Sequence, residues 1–319
     1  MRIRTWRAAL VSFVLVAASI GSAGAAETPV SLPVAPGALS GTLDVPAGAG
    51  PFPVVIILAG SGPTDRNGNS GRQLRSDAYE LLAEGLAAKG IASLRYDKRG
   101  IGDSASAMTK ESDLRFETYA DDAAAWVAFL RKDPRFKRVF IAGHSEGSLV
   151  GMLAAQRVKV DGFISLAGAG RRIPALLHEQ LAKGAPNVVV ESDAIAAQLQ
   201  RGQTVEDVPE DLMSLYRPSV QPYLISWFKY DPAAEIAKLA IPVAIVAGDA
   251  DIQVPVSDAK LLAAAAPGAT LVIVPGMSHT LKHVASTAQA DEQPAYLDPS
   301  LPLDPAVVQA IVALIARAA

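Results

Sequence analysis

The chain has 319 residues, half of them hydrophobic, which is enough apolar material for one large core and fits a single α/β domain carrying an insertion. Charged residues are 19% of the sequence, the formal net charge is -3 and no run of five like charges occurs, so the electrostatic footprint of a nucleic-acid binder is missing. Cysteine is absent, which excludes disulfides and a thiol for a lipid anchor.

Arg2, Arg4 and Arg7 precede an apolar stretch over 8–20 and the small residues Ala23, Gly24 and Ala25. That order predicts a secretory signal peptide over 1–25 and a secreted or periplasmic protein. The competing reading is a retained anchor, since residues 8–26 approach the roughly 20 that span a bilayer. The small-x-small cleavage site favours removal, so no stable membrane anchor is expected in the mature chain. Residues 28–45 then alternate apolar and small polar side chains around Pro-Gly and Ser-Gly turn signals, which predicts an antiparallel hairpin at one edge of a sheet.

From there the pattern changes to short, continuous apolar runs at 54–59, 91–95, 138–142, 162–167, 243–247 and 270–274. Segments with apolar residues at three and four spacing lie between and after them, at 74–89, 118–131, 145–157, 257–266 and 305–317, exemplified by Trp126, Phe129 and Leu130. Continuous strands alternating with helices predict an α/β fold, a mostly parallel central sheet covered by helices on both faces. About 75 residues separate Leu166 from Val243, too many for one crossover helix. Residues 171–230 are therefore expected to form a helical lid inserted after the sixth strand, splitting the core into 26–170 and 231–319.

Gly143-His144-Ser145-Glu146-Gly147 sits between an expected strand and an expected helix. A nucleophilic serine needs such a turn to lift its hydroxyl above the sheet, and glycines on either side leave room for it. The hydroxyl is a poor nucleophile at neutral pH and needs a base, itself held by an acid. There are four histidines in the sequence. His144 flanks the serine and points away from it by strand alternation; His178 lies in the insertion. His279 follows the strand at 270–274, at the end of the sheet where ligands gather in open α/β sheets, and is the expected base. His283 competes, and with His279 forms an i, i+4 pair that could bind metal, but no carboxylate helix accompanies it. Asp251, in the loop after 243–247, is the expected orienting acid, with Asp249 left to cap the turn that follows. The backbone N–H groups of Ser61, in the glycine-containing loop 59–63, and of Glu146 are the expected oxyanion donors.

Ala59 to Asn69, Arg95-Tyr96-Asp97-Lys98-Arg99-Gly100-Ile101-Gly102-Asp103-Ser104, the Ser145 turn, the Asp251 loop and Gly276-Met277-Ser278-His279 together resemble bacterial α/β-hydrolases of the carboxylesterase and serine-aminopeptidase-like lineage. The resemblance covers nearly the whole chain outside the signal peptide and lid, and implies hydrolysis of short acyl esters. Ala59 departs from it, standing where many relatives carry a histidine. The charged segment at 97–100 reads as an ion-paired turn bracing the loops; Asp65, Arg66 and Asn67 read equally as structural or substrate-touching.

The expected chemistry is attack by Ser145 on an acyl carbonyl, proton transfer to His279, and hydrolysis of an acyl-enzyme, with no metal or organic cofactor and a small acyl ester as the partner. Tyr216, Trp227 and Phe228, with Leu215, are the expected substrate-binding side chains. Three readings compete: a peptidase or amidase, for which Arg171 and Arg172 could meet a peptide terminus; a thioesterase; and an inactive binding protein on the same scaffold, which would be expected to have lost a triad member. The sequence does not set the oligomeric state.

Overall fold

The structure, a computed structural model, describes residues 26–318. The expected signal peptide lies outside the described residues, and none of the described helices is long and apolar enough to cross a membrane.

Eight strands form one sheet: β1 (Ala26–Pro33), β2 (Ala38–Val45), β3 (Phe52–Leu58), β4 (Ala92–Tyr96), β5 (Phe136–His144), β6 (Gly162–Leu166), β7 (Val243–Gly248) and β8 (Thr270–Val274). Their spatial order is β1-β2-β4-β3-β5-β6-β7-β8. The β1–β2 hairpin is antiparallel and forms one edge, β2 runs antiparallel to β4, and every other pairing is parallel. This is the arrangement the α/β-hydrolase resemblance implies.

The apolar runs are continuous because both faces of the sheet are covered. Along β3, Val54, Ile56 and Leu58 face one core while Val55 and Ile57 face the other. Helices α1 (Ala78–Ala87) and α11 (Pro305–Arg317) cover the second side through Leu82, Leu86, Val307 and Ile311. Helices α2 (Phe116–Arg131), α3 (Glu146–Arg157) and α9 (Val256–Ala265) cover the first through Trp126, Leu130, Met152 and Leu262.

Between β6 and β7 the chain runs through α4 (Ile173–Gly184), α5 (Val189–Gln200), α6 (Met213–Tyr216), α7 (Gln221–Trp227) and α8 (Pro232–Ile236). These helices share the first core, to which Leu199, Tyr216, Leu224 and Phe228 contribute. Helix α7 rests on α2: the Phe116 and Trp227 rings stack 5.3 Å apart at 4°, and the Phe116 amide donates to Ser226 Oγ at 2.7 Å.

Two elements differ from the sequence expectation. The helix expected from 74 begins at Ala78, because Leu74–Arg75 pairs with Asn69–Ser70 as a short ribbon and Asp77 turns left-handed at φ 49°. Helix α10 (Gln289–Leu297) was not anticipated; it carries Pro294 internally and buries little apolar surface.

Candidate active site

Strand β5 delivers Ser145 to the sheet's carboxyl edge, and the backbone turns there at φ 52°, ψ −118° before α3 starts at Glu146. Non-glycine residues rarely adopt such angles, which cost of order 1–3 kcal/mol. The turn is held by the Ser145 amide donating to the Leu166 carbonyl at 2.9 Å. It also demands its glycines: a Cβ on Gly143 would lie 2.1 Å from the Gly147 carbonyl oxygen, and one on Gly147 would lie 2.5 Å from that of Leu58.

The loops after β7 and β8 bring Asp251 and His279 together. His279 Nδ1 lies 2.8 Å from Asp251 Oδ2, and both residues are buried. The other Asp251 oxygen accepts the amides of Gln253 at 2.8 Å and Val254 at 2.9 Å, which fixes the carboxylate's orientation. Holding Nδ1 as the protonated nitrogen leaves His279 Nε2 free to accept a proton. Ser145 and His279 line one small cavity of about 80 Å³, with Gly60, Thr64, Ser76, Tyr79, Thr280 and Tyr296. The hydrogen bonds among the described residues do not include one from Ser145 Oγ to His279; in ligand-free sites this contact is often loose.

A second cavity, of about 290 Å³, also borders Ser145. Ser61, Gly62 and Glu146 line it together with Leu176, Leu177, Leu215, Leu224 and Trp227 from the segment between β6 and β7. Among the hydrogen bonds of the described residues, neither the Ser61 nor the Glu146 amide is a donor. Two unengaged N–H groups beside a serine hydroxyl are what a developing oxyanion requires. Of the aromatic residues expected to touch substrate, Trp227 lines this cavity. Tyr216 and Phe228 do not; both are packed in the core, and Tyr216 Oη meets Ser192 Oγ at 2.9 Å.

His144 has more partners than strand alternation revealed. Its Nε2 lies 2.8 Å from the His279 carbonyl, which can only accept, so Nε2 carries the proton and Nδ1 accepts. Tyr79 Oη, 2.8 Å away, must then donate to Nδ1, while it accepts the Gly60 amide at 2.9 Å. A chain of three hydrogen bonds thus joins the loop after β3, α1, β5 and the His279 loop. Burial is the main influence on His144 and lowers its pKa to about 3, which keeps the ring neutral. Tyr79 gave no sequence signal, because its place on the buried face of α1 reads as ordinary core.

Other candidates are engaged elsewhere. Asp249 Oδ1 accepts the Gly276 amide at 2.7 Å and ties the two site loops together. His178 is exposed beside Asp193, and His283 is exposed with Asp304 4.0 Å away. Arg66 binds Asp97 and Asp103 at 2.6 Å, Asn67 donates to Glu80 at 2.9 Å, and Asp65 Oδ1 accepts the amides of Asn67 and Asn69. Those three residues brace the loop, and Thr64 and Gly68 face the cavity instead. Arg171 pairs with Asp258 and Glu179, and Arg172 lies 3.8 Å from Asp231; neither arginine lines the two cavities. Tyr296 of the unanticipated α10 accepts from Gln253 Nε2 at 2.8 Å and closes the small cavity.

Comparison with known proteins agrees with this architecture. Esterase EstD of Thermotoga maritima is 30% identical over 229 residues, 70% of this chain and 52% of that protein, so the chain spans about half the length of this relative. Est1E from Butyrivibrio proteoclasticus superimposes with a TM-score of 0.58 at 20% identity, covering 90% of this chain and 99% of that one. A thermophilic esterase from Thermogutta terrifontis superimposes at 0.54 and 17% identity, over 92% and 99%. Those two likenesses establish the fold. The family described as "Serine aminopeptidase, S33" matches residues 69–283, a span that includes Ser145, Asp251 and His279, and the chain belongs to that family of α/β-hydrolases.

Proposed function

We propose that the chain is a secreted serine hydrolase that cleaves short-chain carboxylic esters through Ser145, His279 and Asp251. The observation that carries the reading is the 2.8 Å His279–Asp251 contact beside a serine held at positive φ, with the Ser61 and Glu146 amides unengaged next to it. Ser145 Oγ attacks the acyl carbonyl as His279 Nε2 takes its proton, and the oxyanion is received by the two amides. Asp251 stabilises the imidazolium, which returns the proton to the departing alcohol. Water, deprotonated by the same histidine, then attacks the acyl-enzyme and releases the acid.

The two cavities divide the substrate between them. The leaving alcohol must reach His279 to receive its proton, so it occupies the small cavity that His279 lines, among the hydroxyls of Thr64, Ser76, Thr280 and Tyr296. The acyl group takes the cavity that His279 does not line, against Leu176, Leu177, Leu215, Leu224 and Trp227. Residues 171–230 act as a lid in this reading, and apolar contacts in it discriminate by about 1–3 kcal/mol per methylene.

A peptidase or amidase with the same groups is the second reading, favoured by the description of the matching family. The test is chromophore release by wild type, Ser145→Ala and His279→Ala from p-nitrophenyl acyl esters and aminoacyl p-nitroanilides. Ester turnover lost in both variants supports the esterase, preference for anilides moves the assignment to an aminopeptidase, and equal residual rates in all three proteins refute the triad.

A further inference from the structure

Lys98 is the one member of the charged turn at 97–99 whose partners lie at the site itself. Asp97 pairs with Arg66 and Arg99 with Asp122, both in surrounding scaffold. The Lys98 side chain instead runs inward, 5% exposed, and its Nζ donates to the Gly60 carbonyl. The same ammonium lies 3.6 Å from Glu146 Oε1 and 5.4 Å from the centre of the Tyr119 ring. Burial pulls its pKa down, with Glu146 opposing. A buried cation is costly unless bonded, so these contacts call for an explanation beyond bracing a turn.

The Gly60–Ser61 peptide supplies it. This peptide is trans, since the two cis bonds among the described residues are at Pro36 and Pro51. In a planar trans peptide the C=O and N–H point in opposite directions. An ammonium that draws the Gly60 carbonyl towards itself therefore turns the Ser61 N–H the other way, and Ser61 lines both of the cavities that Ser145 lines. The preceding amide of Gly60 is fixed too, by Tyr79 Oη at 2.9 Å. The other oxyanion donor belongs to Glu146, whose side chain pairs with the same lysine.

We infer that Lys98 is a positioning residue for the oxyanion site, aligning the Ser61 N–H through the Gly60 carbonyl and tying that loop to Glu146. The inference rests on the hydrolase reading above. Lys98 touches no substrate atom; it acts through the peptide it holds, in a loop whose Gly62 at φ 73° would otherwise leave it several conformations.

The test must separate positioning from charge balance, because removing Lys98 alone strands the Glu146 carboxylate. The variants are Lys98→Met/Glu146→Met, which removes both charges and leaves both backbone donors, and Lys98→Gln/Glu146→Met, which restores an N–H donor with neither charge present. Each is measured for thermal midpoint, for kcat and KM on a p-nitrophenyl ester, and for inhibition by a trifluoromethyl ketone, whose hemiketal oxyanion occupies the same donors. The expected result for the double variant is a folded protein with KM little changed, kcat lowered about 10- to 100-fold, below the roughly 100- to 1,000-fold of a deleted donor, and ketone affinity lowered in parallel. Lys98→Gln/Glu146→Met should recover part of both. A folded double variant with wild-type kcat and ketone affinity overturns the proposal, as does a fall in kcat with ketone affinity intact. A wild type that neither turns over ester nor binds the ketone overturns the hydrolase reading and this inference with it.

Discussion

His144 allows a pH experiment with a definite sign. Its ring is buried between Tyr79 and the His279 carbonyl and titrates at about 3, against 6.5 for an ordinary histidine. The unfolded chain therefore binds more protons between those two values, and folding stability rises with pH across that window. The contribution is complete above the unfolded pKa and is lost as pH falls towards 3. Between pH 7 and pH 4 this amounts to about 3 kcal/mol. Buried Asp44 and Asp122, raised to about 6, and Glu292, raised to about 7, act in the opposite direction, since burial makes them hold protons in the folded state. The wild-type profile alone would mix these effects, so the perturbation is His144→Gln, which leaves the carboxyl groups in place. Urea unfolding followed by tryptophan fluorescence at pH 7, 5.5 and 4 gives both stabilities. The substitution should cost stability at pH 7, through its lost hydrogen bonds, and that deficit should shrink by about 3 kcal/mol on going to pH 4. A deficit that stays constant with pH refutes the assignment of a neutral, buried His144.

Tyr79→Phe leaves the buried Gly60 amide without its acceptor and His144 Nδ1 without its donor; a loss of about 1–3 kcal/mol is expected in chemical denaturation, together with a lower kcat. Gly147→Ala forces a Cβ to within 2.5 Å of the Leu58 carbonyl oxygen, and the expected outcome is little soluble, folded protein by expression yield and circular dichroism. Asp251→Asn keeps the shape of the side chain but favours the wrong His279 tautomer, so kcat for an ester should fall by about 10,000-fold with a thermal midpoint close to wild type.

Much of the fold was legible because burial on both faces of a parallel sheet leaves a signal in composition. The runs at 54–59, 91–95, 138–142, 162–167, 243–247 and 270–274 each coincide with a strand to within a few residues. What escaped depended on contacts between distant segments. The start of α1 was displaced because residues 74–75 are recruited by 69–70. Helix α10 has no apolar stripe of its own and contains Pro294, so neither periodicity nor propensity marked it.

The same division runs through the site. Ser145, Asp251 and His279 stand at the ends of recognisable strands, so chain order and strand context made them the candidates; in the structure Ser145 and His279 line one cavity and Asp251 lies behind it against His279. Side-chain direction between β6 and β7 was not readable in this way. Trp227 and Phe228 are adjacent and both aromatic, yet one residue of helix is about 100° of rotation, and the cavity receives Trp227 while Phe228 turns into the core. Lys98 shows the limit most clearly. Asp97, Lys98 and Arg99 read as one ion-paired turn, and two of them fit that description through Arg66 and Asp122. The third, besides its pairing with Glu146, bonds a backbone carbonyl 38 positions away. A carbonyl belongs to every residue and carries no sequence signature, so this contact could be found only once the chain had folded.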